Sequence, residues 1–160
     1  MTQDTKDLLA KDRRVRSDRG PLSDGNTISV FRGSGDVVEG EALISTEGFS
    51  PRYDLDRLTG EVSRPGHAIA GENIAGKVLF FPTAKGGIAA GWAFYDLASK
   101  ALAPKAIVFG RTNPVMVQGA VFAGITITEG WSEDPSEIIR TGDTVRVDPQ
   151  RKRIDILRRA

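Results

Sequence analysis

The chain is 160 residues long, enough for one domain around a single core. Its 22 basic and 21 acidic residues leave a formal net charge of +1, so no global field recruits nucleic acid or an anionic membrane. There is no cysteine and a single histidine, His67, so the usual thiolate and imidazole donors of iron–sulfur and zinc sites are missing.

The N-terminus, MTQDTKDLLAKDRR, has no apolar stretch behind its first charges and does not read as a secretory signal. No apolar run along the chain approaches the ~20 residues of a membrane span. A soluble, cytoplasmic protein is expected. Residues 1–26 are rich in charge and turn formers and read as a flexible N-terminal arm, with a short helix near Thr5–Lys11. Met1–Gly20 carries six basic and four acidic residues, which suits a solvated tail better than a nucleic-acid arm.

From Thr27 the pattern turns to β-structure, and residues 27–160 read as one domain. Thr27–Arg32 and Val37–Ser45 mix β-branched and polar residues as half-buried strands do. Phe49–Gly66 holds Pro51, Gly60, Pro65 and Gly66 and reads as a long excursion with turns. Lys77–Phe81 is continuously apolar, the mark of a strand covered on both faces. Ile88–Leu102 reads as a helix. Ile88, Trp92, Tyr95 and Leu102 form one stripe with Phe94 and Leu97 beside it, and so few polar residues interrupt it that much of its surface is expected to be packed, in the core or a subunit interface. Pro104 ends it, and Lys105–Phe109 is the next buried strand, which makes a right-handed parallel crossover. Asn113–Ala123 reads as a second helix with Pro114 in its first turn, followed by a strand at Ile125–Thr128. Asp143–Asp148 and Arg153–Leu157 alternate on both sides of a polar turn and read as a hairpin. The sum is a compact α/β domain.

The stretch that carries chemistry is Phe81-Pro82-Thr83-Ala84-Lys85-Gly86-Gly87-Ile88. A buried strand ends, a glycine-rich turn follows and a helix begins, so exposed N–H groups and the positive end of a helix dipole converge where an anion fits. Lys85 adds a cation, and Gly86 and Gly87 let a ligand approach the backbone. Neither a nucleotide P-loop nor a dinucleotide fingerprint is present. The alternative is a tight turn using glycines for geometry alone. A second loop, Phe109-Gly110-Arg111-Thr112-Asn113-Pro114, is expected at the same carboxyl edge of the sheet. There Arg111 clamps a carboxylate, or else serves as a surface or capping residue. His67 has two readings, a ligand contact that donates to a carboxylate or shuttles a proton, and a structural loop histidine.

Glu39-Gly40-Glu41-Ala42-Leu43, Ile74-Ala75-Gly76-Lys77-Val78-Leu79, Phe81-Pro82, Ala103-Pro104-Lys105-Ala106-Ile107-Val108 and Asn113-Pro114-Val115 resemble, in order and spacing, the aconitase X swivel domain. The resemblance covers roughly residues 37–130. It implies an aconitase-like swivelling β/β/α domain, the small subunit of a hydro-lyase (dehydratase). This subunit docks on a larger aconitase-X-type subunit in a hetero-oligomer. The iron–sulfur cluster is expected on that partner, with no cofactor bound by this chain alone. The substrate class it implies is a small hydroxylated carboxylate; no nucleic acid and no membrane partner are expected. It also implies that Lys85, Gly86, Gly87, Arg111, Asn113 and His67 bind substrate, with no metal ligand on this chain. Family members carry a serine base in the loop after the Phe-Pro strand. Here the corresponding positions are Gly87 and Ile88, which leaves Thr83 as the catalytic candidate on this chain. The other possibilities are a base from the partner, or a non-catalytic, carboxylate-binding or regulatory swivel domain that has lost the serine.

Overall fold

The computed structural model describes residues 26–160; the expected arm falls almost wholly outside them. Nine strands are named here in chain order. They are β1 (Thr27–Ser34), β2 (Val38–Ile44), β3 (Leu55–Asp56), β4 (Glu61–Val62), β5 (Val78–Thr83), β6 (Ala106–Arg111), β7 (Thr126–Trp131), β8 (Thr144–Asp148) and β9 (Arg153–Arg158). Among the described residues three helices accompany them: α1 (Ile88–Ser99), α2 (Pro114–Phe122) and the single turn α3 (Pro135–Ile138).

Seven strands close a barrel in the order β1-β7-β6-β5-β2-β8-β9, with β9 returning to β1 through Thr27–Ser29. One half, β2-β5-β6-β7, is parallel. It is built by the two crossovers, β5–α1–β6 and β6–α2–β7, that the apolar periodicity predicts. The other half is antiparallel and contains the expected C-terminal hairpin β8–β9.

Strand alternation sorts the apolar side chains into two cores. Val78, Phe80, Ala106 and Val108 point into the barrel, where they meet Ile28, Val145, Val147 and Ile154. Leu79, Phe81, Ile107 and Phe109 point outward and are covered by Phe94 and Leu97 of α1 and by Met116 and Ala120 of α2. Both faces of β5 and β6 are therefore buried, which is why these strands carry unbroken apolar runs.

The expected stripe on α1 needs correction. The face of α1 against the sheet is Ala90, Ala93, Phe94 and Leu97, while Ile88, Trp92 and Tyr95 are exposed. A helix that is apolar nearly all round offers two stripes, and the one with alanines lets the backbone come closest to the sheet. The helix also ends before Leu102. Ala101 adopts a left-handed φ of 57°, and the Leu102 N–H donates to the Leu97 carbonyl at 2.9 Å, closing the last turn.

Helices α1 and α2 cross at Gly91 and Gly119. A Cβ added at Gly119 would stand 2.5 Å from the Gly91 Cα, so this crossing tolerates no side chain. Among the described residues no helix is long and apolar enough to cross a membrane.

Candidate functional site

The parallel strands β5 and β6 deliver their C-terminal residues to one edge. Thr83 pairs with Arg111 across them, and the Ala84 N–H donates to the Arg111 carbonyl at 2.9 Å. A third segment, residues 45–50, extends the same edge. The Phe49 N–H donates to the Thr83 carbonyl (3.1 Å), and the Lys85 N–H donates to the Phe49 carbonyl (2.8 Å). The Phe49 ring holds this segment down by stacking on Phe81, centroid to centroid 4.4 Å and only 5° from parallel. Gly48 makes the approach possible, because a Cβ there would stand 2.5 Å from Thr83 Oγ1 and 2.9 Å from Lys85 Cε. The hydroxyl of Thr83 therefore lies along the seam between β5 and this segment, although the residue itself is exposed.

Beyond Lys85 the backbone turns at Gly86, whose φ of 108° suits glycine. Beneath it, Ser50 Oγ would lie 3.3 Å from a Cβ at this position. Gly87 then serves as the N-cap of α1 and supplies no side-chain cap. Helix α2, by contrast, is capped: Asn113 Oδ1 accepts from the Met116 N–H at 2.9 Å, and its Nδ2 donates to the Gly86 carbonyl at 3.4 Å. Both polar ends of Asn113 thus tie α2 to the glycine turn. In the first turn of α1 the Ala90 N–H donates to the Gly87 carbonyl at 3.0 Å, and among the described residues the Ile88 and Ala89 N–H groups have no side-chain cap.

Two cations stand at this edge. Arg111 is exposed, and among the described residues no carboxylate lies within ion-pair distance of its guanidinium. Lys85 Nζ sits 3.6 Å from Glu47 Oε1. Glu47 is already engaged elsewhere: it pairs with Arg64, and its Oε2 accepts from the Ala68 N–H at 3.1 Å. The Arg64 hydrogen bond is the main reason its carboxyl drops to about 2.

Arg64 bridges further inward. Its Nε donates to the buried Asp54 Oδ1 at 2.5 Å, and Asp54 Oδ2 accepts from the Ser50 N–H at 2.8 Å. His67 belongs to this inner clasp. Its side chain has no solvent exposure. Nδ1 accepts from the Ile69 N–H at 3.2 Å, which leaves Nε2–H to donate to the Gly48 carbonyl at 2.9 Å.

The structure therefore brings Thr83, Lys85, Gly86, Gly87, Arg111 and Asn113 to one edge and sets His67 behind them, under Gly48. Sequence reasoning missed Glu47, Asp54 and Arg64. They lie up to 17 residues apart and form no motif. Only the return of residues 45–69 over the strand ends brings them together.

An antiparallel-and-parallel barrel with a helix entry that no side chain caps, and two cations, at its carboxyl edge defines the class. The chain belongs to the aconitase X swivel domain family, whose model matches residues 27–156. Among its relatives is the phosphomevalonate dehydratase small subunit of Methanosarcina mazei, 37% identical over 134 residues, which cover 84% of this chain and 90% of that one. The Pyrococcus horikoshii protein of the same name is 36% identical over 121 residues, 76% of this chain and 88% of its own. Among solved structures, the aconitase X of Thermococcus kodakaraensis in its holo form superposes with a TM-score of 0.76 at 33% identity. That match covers 82% of this chain and 98% of that one.

Proposed function

We propose that this chain is the small subunit of an aconitase-X-type hydro-lyase, a dehydratase acting on a small hydroxylated carboxylate. Its swivelling domain, residues 27–160, closes over a larger subunit in the cytoplasm. The observation that carries the reading is the first turn of α1, which no side chain caps, at the same sheet edge as Lys85 and Arg111, in a chain whose relatives are named dehydratase small subunits. The α1 N–H groups and Lys85 hold one anionic group of the substrate, and Arg111 holds a second.

An iron–sulfur cluster does not fit this chain's own residues. The sequence has no cysteine, and both ring nitrogens of the lone histidine are engaged. Among the described residues no three His, Cys, Asp or Glu side chains converge. The cluster is assigned to the larger subunit.

Gly87 and Ile88 offer no hydroxyl where the family resemblance expects a serine. The base is then Thr83 or a group of the partner. A second reading rests on the same two residues: a swivel domain that binds the carboxylate and regulates its partner without taking part in the chemistry.

The test is reconstitution of the full chain with its larger subunit under anaerobic conditions. Lys85→Ala is expected to raise KM about tenfold with little change in kcat, the loss of one charge-assisted contact; unchanged kinetics would remove Lys85 from the site. Loss of kcat in Thr83→Val assigns the base to Thr83, and an unaltered kcat sends it to the partner. Full activity of the larger subunit alone would replace the catalytic reading with the regulatory one.

A further inference from the structure

Helices α1 and α2 leave an apolar cleft of about 390 Å³ between them on the outer surface. Ile88, Trp92 and Tyr95 line it from α1, and Val115, Gln118 and Phe122 from α2. None of these residues is charged. Four of them are conspicuously open to solvent: Ile88 (74%), Trp92 (69%), Tyr95 (56%) and Phe122 (72%). The close crossing at Gly91 and Gly119 brings the two helices together and makes the cleft one continuous surface. We infer that this cleft is the docking seat for the larger subunit, which fills it with an uncharged, apolar surface of its own. The inference rests on the dehydratase-subunit reading above.

Two arguments identify the occupant. The first is area. With aromatic side chains at ~150–250 Å² each, the four exposed residues present on the order of 500 Å² of mostly apolar surface. That is the larger part of the ~800 Å² per partner of a standard stable interface, and Trp and Tyr are the residue types that anchor such interfaces. The second is what the neighbouring loop lacks. The cleft begins at Ile88, the residue after the uncapped Gly87 turn, so whatever fills it also stands beside the anion-binding loop. A second copy of this chain would bring to that loop another loop without a serine or a cysteine. The larger subunit brings the missing groups.

The test uses the full-length chain and the larger subunit, titrated anaerobically by calorimetry. Trp92→Ala and Phe122→Ala are expected each to weaken binding by about 30-fold or more, with unchanged thermal melts. Leu58→Ala, an exposed apolar residue on the β3–β4 turn away from the cleft, is expected to bind like wild type. If wild type binds and the cleft variants bind equally well, the cleft is not the seat, while the subunit reading stands. If wild type does not bind the larger subunit at all, the subunit reading falls and takes this inference with it. Two results would give the cleft to another occupant and overturn the proposal. One is a dimer of the chain alone that Trp92→Ala dissolves. The other is tryptophan fluorescence that becomes more quenchable by acrylamide when residues 1–25 are deleted.

Discussion

Replacing Gly119 by alanine pits two effects of opposite sign against each other. On an isolated helix the change stabilises by ~1 kcal/mol, because alanine loses less backbone entropy than glycine. In this fold the new methyl would stand 2.5 Å from the Gly91 Cα, 2.8 Å from its carbonyl oxygen and 3.0 Å from its carbonyl carbon. Carbon atoms in contact sit ~3.5–4.0 Å apart. All three opposing atoms are backbone, so no rotamer change relieves the clash and the helices must separate by about 1 Å. That separation loosens α1 over Ala90, Phe94 and Leu97 and α2 over Met116. Such overpacking costs ~1–3 kcal/mol and occasionally more, and here it outweighs the propensity gain. The expected net loss is about 1–2 kcal/mol, a fall in Tm of roughly 3–7 °C for a domain of this size. Calorimetric melts of wild type and variant measure it directly. Gly91→Ala is the companion, since its Cβ would meet the Val115 carbonyl oxygen at 3.3 Å; it should lose less. A Tm equal to or above wild type for Gly119→Ala would mean that the helices do not touch there, and the seat argued for the partner would lose its floor.

Two further outcomes concern the clasp behind the loop. Glu47, held down to about 2 chiefly by the Arg64 hydrogen bond, contributes stability that is complete above its ordinary 4.5 and is lost as pH falls through about 2. The Tm advantage of wild type over Glu47→Gln should therefore shrink between pH 5 and pH 2, and a constant difference would refute the pairing. His67→Ala removes a fully buried ring with two hydrogen bonds and should cost ~2–4 kcal/mol. The pH profile of kcat in the reconstituted complex should keep its shape if the ring only positions Gly48; a lost limb would make His67 a proton shuttle.

What was legible in the sequence depended on how local its cause was. The unbroken apolar runs of β5 and β6 and the glycine turn before α1 have local causes and were readable, as was the alternation of β8 and β9. Barrel closure was not. It depends on β1 exchanging partners midway, from β9 at Thr27–Ser29 to β7 from Val30 onward, and no residue pattern marks such an exchange. The short strands β3 and β4 escaped for a similar reason. At two residues each they are too brief for any period to register. On α1 the periodicity was real, but hydrophobicity alone favoured the large side chains, whereas the face that packs on the sheet is chosen by closeness of approach and so by Ala90 and Ala93. His67 stood in an apparent loop. Its burial follows from Gly48, 19 residues away, offering a carbonyl to its ring.

The clasp also bears on the anion-binding role proposed for Lys85, a lysine beside a carboxylate. An isolated Lys85–Glu47 pair would compete with any ligand for the ammonium. Here Glu47 is already satisfied twice, by Arg64 and by the Ala68 N–H, and Lys85, at 3.6 Å, is its third and longest contact. Turning Lys85 away leaves Glu47 paired, so the lysine can move to an incoming anion without stranding a charge. Arg64 in turn is fixed from the other side by the buried Asp54, whose remaining oxygen is fixed by the Ser50 backbone. The charges behind the loop thus form a closed chain with one loose end, Lys85, two residues before the Gly87 N-cap of α1. A tight turn serving geometry alone requires Gly86; it does not require a displaceable cation at its mouth.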